Sequence, residues 1–324
     1  MPKMEHLTNK MIEQQVPKKF VESTGGNIDQ KVPRRVELSS EQKEIISNTT
    51  LVIPDNDGEA HLVIEIAKKL GLDVRVSSQA WGARLDQELK ENPNVLSDSK
   101  KTILVFEMPS KEQEEKLRQQ GLSIEIIDHH QYQDDDRSKE ESSLEQFLQK
   151  LNLNDKQLQD LGLDPKFVKG IAINDKSYIY GLRQAGYSDE EIKKIREFDV
   201  RAQLKDDYDK IARRNEELYN TRIIRGDVVV LSSREGDNNS IACDKIVLDN
   251  PEKVPQILDL RQNNKGEIVF IYFSGPSEIV RKLKQECSPS FGGSEKTEKV
   301  SDFAGWIKPT QKQIEKIKQI LNLE

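Results

Sequence analysis

The sequence predicts an α/β protein in which a mostly parallel sheet is joined by a helical linker to a smaller α/β domain. From Thr50 onwards, short apolar runs alternate with amphipathic helical stretches, the pattern of strand–helix–strand crossover units. A long charged helical region then extends from Ser188 to about Asn220 and begins with a capping box formed by Ser188 and Glu191. Further apolar runs follow this region, and a length of 324 residues suits two domains.

Each predicted element corresponds to one of these segments. In the first domain, strands are predicted at 51–53, 74–76, 103–106, 124–127 and 171–173, and helices at 60–70, 111–120 and 144–151. In the second domain, strands are predicted at 228–231, 246–248 and 268–271, and helices at 276–286 and 309–321. The predicted organisation is a polar N-terminal extension, a catalytic-type domain, a helical linker and a smaller domain, at 1–45, 46–187, 188–222 and 223–324.

Composition limits the classes of partner. A net charge of −7 argues against a protein that coats long nucleic acid and favours short anionic substrates. Two cysteines cannot form a disulfide framework, which favours a reducing compartment. The N-terminus has no apolar signal core and the chain has no apolar run of membrane-spanning length, so a cytoplasmic protein without a membrane partner is expected. The polar extension could bind a protein partner.

Acids and imidazoles follow the predicted strands, where open parallel sheets place their ligand-binding groups. These residues are Asp55 and Asp57 after the first strand, Glu107 after the third, Asp128, His129 and His130 after the fourth, and Asp175 after the fifth. Each alone is ordinary, because a turn, a helix cap or a solvated acid would explain it. Together they suit Mn²⁺ or a similar ion, and two ions about 3.5–4 Å apart would activate water and clamp a phosphoryl group.

This set of residues resembles the DHH phosphoesterase superfamily, which includes RecJ-like and oligoribonuclease-like proteins and is named after the sequence at Asp128, His129 and His130. The resemblance extends in order from about Thr50 to the C-terminus. The segment 55–58 resembles the first family motif, Glu107 stands where the second motif has Asp, and Asp175 falls at the fourth. The smaller domain resembles the companion domain DHHA1, with its glycine motif at 291–293.

The resemblance implies two divalent ions, usually Mn²⁺, with Mg²⁺ as the alternative. Asp57, His129 and Asp175 would hold one ion, Glu107 would bridge, and Asp55 would hold the other. The resemblance further implies two catalytic residues. Asp128 would orient His129 through its ring N–H, and His130 would face the substrate phosphate or act as an acid beside it.

Three departures from the family pattern indicate one well-formed ion site and a second, degenerate one. The first motif usually begins with His four residues before its first Asp, and this chain has Leu51 there. Glu107 replaces an Asp, and Ser294 replaces the His that normally follows the DHHA1 glycines. His61 would either complete the weakened site or be a surface histidine of the first helix.

Substrate contacts are predicted in two segments. After the second strand, Arg84 could pair with phosphate oxygens and Trp81 could stack a base, with a capped turn and a packing Trp as the alternative. In the second domain, backbone N–H groups near an anion and a nearby lysine are predicted at Gly292, Gly293, Ser294 and Lys296.

Two functions from different classes follow. The first is a metal-dependent phosphoesterase that hydrolyses phosphodiester bonds of short oligonucleotides or of small nucleotides, cyclic ones included. Its substrate would be short single-stranded nucleic acid or a nucleotide, and single-strand exonuclease activity remains open. The second is a catalytically weakened DHH-family protein that binds nucleotides or nucleic acid as a regulatory or scaffold module. A homodimer is open in either case.

Overall fold

The computed structural model describes residues 36–132, 136–293 and 300–323. Most of the predicted N-terminal extension therefore lies outside the described residues. Its last part forms helix α1 (Ser40–Ser47), which a capping box between Ser39 and Gln42 begins.

The first sheet has four parallel strands in the order β2-β1-β3-β4. They are β1 (Thr49–Pro54), β2 (Asp73–Ser77), β3 (Thr102–Phe106) and β4 (Ser123–Ile127). Both faces of β1 are buried: Leu51 and Ile53 pack into one apolar cluster and Val52 into another. A parallel sheet covered on both faces is the arrangement that near-continuous apolar strands predict.

Helices cover this sheet and lead away from it. Those of the first region are α2 (Gly58–Leu70), α3 (Leu85–Glu91), α4 (Lys111–Gln119), α5 (Ser143–Lys150), α6 (Asp155–Asp160) and α7 (Pro165–Gln184). The predicted linker consists of α8 (Asp189–Leu204) and α9 (Tyr208–Asn220), with a short 3-10 turn between them.

The prediction of a fifth parallel strand at 171–173 is wrong, because these residues lie inside α7. Pro165 occupies the first turn of that helix and Asp164 caps it. Burial at Val168, Ile171 and Ala172 follows helical spacing. A three-residue apolar run cannot by itself distinguish a strand from a buried helix segment, which is why the sequence misled here.

The second sheet is mixed and has the strand order β5-β6-β7-β8-β10-β9. Its strands are β5 (Ile223–Arg225), β6 (Val228–Leu231), β7 (Gln256–Gln262), β8 (Ile268–Pro276), β9 (Phe291–Gly292) and β10 (Ser301–Ile307). The helices of this region are α10 (Ser240–Leu248), α11 (Ser277–Cys287) and α12 (Gln311–Ile320). The strand predicted at 246–248 is wrong, because α10 contains it as the crossover between the parallel strands β6 and β7.

The α/β fold class is confirmed, since a parallel sheet and a second, mixed sheet are both present. The exact domain boundaries stay a prediction. Among the described residues, Cys243 and Cys287 are both buried and free. No helix in that part of the chain is long and apolar enough to cross a membrane.

Candidate metal centre

Four chemically active side chains meet at the carboxyl edge of the first sheet. Glu107 follows β3, His129 and His130 follow β4, and Asp175 projects from α7. Each offers a ligand atom, and these atoms all lie within 4.8 Å of one another. Nε2 of His129 lies 2.6 Å from Oδ2 of Asp175 and 3.6 Å from Oε1 of Glu107. We call these four residues the acid–imidazole cluster.

The cluster contains buried polar atoms that the surrounding protein does not satisfy. Among the described residues, Oε1 of Glu107 and Oε2 of the neighbouring Glu59 are buried and have no hydrogen-bond partner. Nε2 of His129 faces these carboxylates, at 3.9 Å from Oε2 of Glu59. Because buried polar atoms in native proteins are normally paired, convergent oxygens without donors indicate a cation site. Carboxylate and imidazole donors suit a divalent ion such as Mn²⁺.

The acids in and around the cluster have raised pKa values, because they are buried close to one another. Burial and then the charges of Asp175 and Asp199 raise the pKa of Asp57 from 3.8 to about 8. Burial and then the charges of Asp57 and Asp175 raise the pKa of Glu107 well above its ordinary value. The pKa of Glu59 is also raised well above its ordinary value, by burial and then by Asp175. A cation among these acids would favour their ionised forms.

Asp57 stands beside the cluster and begins α2. Its Oδ1 accepts a hydrogen bond of 2.8 Å from the N–H of Ala60, so it caps the helix. The next residue, Gly58, packs so closely on α8 that a Cβ there would lie 2.7 Å from the Cα of Asp199. The N–H of Gly58 also donates to Oδ1 of Asp199 at 2.9 Å. This close approach fixes the turn that carries Asp57.

Asp128 holds His130 in place. Its Oδ1 accepts a 2.9 Å hydrogen bond from the N–H of His130 and lies 3.0 Å from Nδ1 of the same residue. The sequence predicts that Asp128 contacts the ring of His129, but in the structure Asp128 contacts the next residue, His130. Burial opposes protonation of His130, but the hydrogen bond with Asp128 and the charge of Asp175 outweigh it and raise the pKa of His130. A protonated imidazole suits an acid role.

Both carboxylate oxygens of Asp55 contact residues outside the acid–imidazole cluster. Its Oδ1 lies 3.1 Å from Nδ1 of His61, and its Oδ2 lies 3.1 Å from Nζ of Lys205. Burial raises the pKa of Asp55, but hydrogen bonds from His61 and Lys205 outweigh this effect and hold that pKa below its ordinary value. Leu51, which stands where the family that the sequence resembles has a histidine, is fully buried in β1. The residues expected for a second divalent ion therefore do not fit one.

Arg84 and Trp81 border this edge of the sheet. Arg84 precedes α3, and its guanidinium lies 5.6 Å from the ring centroid of Tyr132. The ring of Tyr132 is in turn 6.2 Å from that of His130, which places Arg84 on the His130 side of the cluster. Trp81 is exposed.

The glycines of the second domain are used in the sheet. The N–H of Gly293 donates to the carbonyl of Phe303 at 3.1 Å, and its own carbonyl accepts from Nζ of Lys284 at 2.7 Å. Gly292 pairs with Ala304 in the ladder between β9 and β10. The N–H of Gly293 is therefore not directed at an anion. Ser294 and Lys296 lie outside the described residues.

Sequence reasoning missed a buried ionic network next to the cluster. Arg196 on α8 donates from Nε to Oδ2 of Asp244 at 3.0 Å and from Nη1 to Oδ2 of Asp199 at 2.6 Å. Nη1 also donates to Oδ1 of Asn174 at 3.1 Å. The network joins α7 and α8 to α10 of the second region. A capping box had marked the start of α8, but nothing in the sequence distinguished Arg196 from its solvated neighbours.

Glu59 was also missed. It follows Gly58 in the first turn of α2, where an acid is ordinarily explained by the helix dipole. Only the fold shows that its Oε1 accepts from the N–H of Leu144 at 3.0 Å while its other oxygen faces His129.

No protein-family model matches the sequence, and no curated protein matches it. The chain does align with solved structures. One is a member of the s1p family of ribosomal proteins described as a DHH domain, with 12% identity and a TM-score of 0.45, covering 87% of this chain and 88% of that one. A second is exonuclease RecJ bound to manganese, with 10% identity and a TM-score of 0.43, covering 87% and 91%. A third is PggH, a pGpG-specific phosphodiesterase from Vibrio cholerae, with 12% identity and a TM-score of 0.39, covering 85% and 100%.

Proposed function

We propose that this protein is a metal-dependent phosphoesterase of the DHH superfamily that hydrolyses phosphodiester bonds of short oligonucleotides or small nucleotides. One observation carries the proposal: Glu107, His129, His130 and Asp175 converge within 4.8 Å, beside buried acid oxygens that have no donor in the described part of the chain. Mn²⁺ is the proposed ion, with Mg²⁺ as the alternative, since the donors are carboxylates and imidazole.

The proposed mechanism divides the work among a few side chains. Glu107, His129 and Asp175 would hold the ion, with Asp57 as the further ligand that the resemblance implies. A divalent ion held there would supply Lewis acidity toward a phosphoryl oxygen. A water molecule would attack phosphorus and release its proton to solvent as the bond to the leaving oxygen breaks, and His130, 40% of whose side chain is exposed, would protonate that departing oxygen. Asp128 keeps the ring of His130 in position.

The second region, proposed as a DHHA1-like domain over 223–324, would hold the nucleotide. One face of its sheet carries stacked aromatic pairs: Phe270 with Phe291 at 5.8 Å and Tyr272 with Phe303 at 6.2 Å between ring centroids. Of these four rings, Phe291 and Phe303 are exposed, whereas Phe270 and Tyr272 are half-buried. Exposed aromatic rings are platforms on which bases stack without sequence preference. This surface supports a short single-stranded or cyclic nucleotide substrate.

The test is a panel of labelled di- to pentanucleotides and a cyclic dinucleotide, incubated with Mn²⁺ and the full chain. We expect Mn²⁺-dependent release of nucleotides, abolished in His129→Ala and Asp175→Ala. An intact panel in the presence of abundant Mn²⁺ would contradict the enzymatic proposal.

A second candidate is a nucleotide- or nucleic-acid-binding module without catalysis. The observation that favours it is the engagement of Asp55 by Lys205 and His61. Tight nucleotide binding with no turnover of any member of the panel would support this candidate.

A further inference from the structure

Two acids at the end of β1 have opposite surroundings. Asp57 lies among other carboxylates, which together with burial raise its pKa. In contrast, one oxygen of Asp55 contacts the ring of His61 and the other contacts the ammonium of Lys205. The contact with Lys205 comes from a residue 150 positions further along the chain. The fold thus places a lysine ammonium beside Asp55, whereas the neighbours of Asp57 include the acids Asp175 and Asp199.

The backbone at Lys205 is strained. Lys205 follows the last residue of α8 and has φ 49 and ψ −123, in a region that L-residues other than glycine rarely adopt. Such a conformation costs about 1–3 kcal/mol and persists only where the surroundings impose it. Glu107 in the cluster also has a positive φ, at 51.

The side chain of Lys205 can meet a ligand while it holds Asp55. Its side chain is 57% exposed while its Nζ lies 3.1 Å from Oδ2 of Asp55. Lysine is a flexible point charge and a common partner of phosphate. A divalent ion at the same oxygen would have to displace this ammonium, because two cations at one carboxylate oxygen repel each other.

We propose that Lys205 supplies the second positive charge of the site, so that this chain binds one divalent ion and contacts a phosphate oxygen with the Lys205 ammonium. This inference rests on the proposed function. It departs from the two-ion arrangement that the resemblance implies, and it assigns a role to a residue that no sequence motif singled out.

The first experiment counts ions. Mn²⁺ bound per chain is measured by equilibrium dialysis and metal analysis of the full-length protein. The expected result is one ion per chain. Two ions per chain would overturn the inference and leave the proposed function intact. A chain that binds no Mn²⁺ would overturn both.

The second experiment tests the ammonium with inorganic phosphate as the probe. Calorimetry on the Mn²⁺-loaded protein compares wild type with Lys205→Gln, Lys205→Arg and the exposed control Lys210→Gln. Loss of a hydrogen bond to a charged group is expected to weaken phosphate binding about tenfold or more in Lys205→Gln. Lys205→Arg, which keeps the charge, is expected to restore most of the affinity, and Lys210→Gln to leave it unchanged.

Wild-type phosphate affinity in a folded Lys205→Gln variant would overturn the inference. Circular dichroism and the Mn²⁺ count of the same variant establish that it is folded and loaded. An equal loss in Lys210→Gln would also overturn it, because the effect would then reflect general surface charge.

Discussion

Asp57, which stands beside the acid–imidazole cluster, is two residues from the Asp55 corner, by which we mean Asp55 with His61 and Lys205, and the two acids have opposite electrostatic surroundings. Asp57, beside the cluster, has a pKa raised to about 8 by burial and by neighbouring acids. In the Asp55 corner, hydrogen bonds from His61 and Lys205 outweigh burial and lower the pKa. The difference shows that the acids at the cluster raise one another's pKa and suit a cation from solution, whereas Asp55 is paired with Lys205.

The largest expected effect is a loss of stability in a variant of Arg196, which is paired with Asp199 next to the acid–imidazole cluster. The charge of Asp199 is one of the causes that raise the pKa of Asp57. Arg196→Met would leave the buried carboxylates of Asp199 and Asp244 without their cationic partner, which costs about 3–5 kcal/mol of the free energy of unfolding. Urea unfolding measures this value. The matched control is Arg201→Met, where a partly exposed ion pair with Glu197 is worth less than about 1 kcal/mol. Equal losses in the two variants would mean that the buried network has no special weight.

The two regions can be compared directly through their histidines. His129→Ala removes a ligand from the cluster, and we expect Mn²⁺ affinity to fall by at least about 100-fold, more than the loss of an outer partner causes. His61→Ala removes the partner of Asp55, and Mn²⁺ affinity should stay within about threefold of wild type, because His61 lies outside the cluster. Calorimetric Mn²⁺ titration measures both. Similar losses of Mn²⁺ affinity in the two variants would contradict the prediction that the ion binds at the cluster and not at the Asp55 corner.

The pH dependence of stability should differ with and without metal. Asp57 has an ordinary pKa of 3.8 and a folded pKa of about 8, so between these values the folded chain binds more protons than the unfolded chain. In EDTA, the free energy of unfolding contributed by this group therefore falls as pH rises from about 4 to 8. Mn²⁺ reverses the trend, because its ligands bind the ion deprotonated. Melting temperatures at pH 5 and pH 8, with EDTA and with Mn²⁺, provide the test. A metal effect that is equal at both pH values would contradict it.

Much of the cluster could be predicted from the sequence, because most of its residues follow apolar runs that are recognisable as strands. Glu107, His129 and His130 each follow an apolar run, and the fold class alone brings them to one edge. Asp175 was predicted for the wrong reason, since it lies on α7 and reaches the cluster from a helix.

The Asp55 corner could not be predicted, because its decisive partner depends on a tertiary contact. Lys205 is one of many lysines in the sequence, and it contacts Asp55 from a position of positive φ directly after α8. The same holds for Arg196, whose partners come from three helices. Motifs thus predicted the candidate ligands, whereas the charged side chains around them could be located only from the packing of the fold.

The smallest expected effect concerns Arg84, which faces the cluster from the side of His130 through Tyr132. Arg84→Ala should weaken binding of inorganic phosphate to the Mn²⁺-loaded protein about three- to tenfold, because a partly exposed guanidinium loses part of its hydrogen-bond energy to solvent. Mn²⁺ affinity should not change, since Arg84 contributes no ligand. Arg225→Ala, on the exposed edge strand β5, is the control. If Arg84→Ala binds phosphate like wild type while Lys205→Gln does not, the anion is held from the Asp55 corner alone, and the two regions divide metal and phosphate between them.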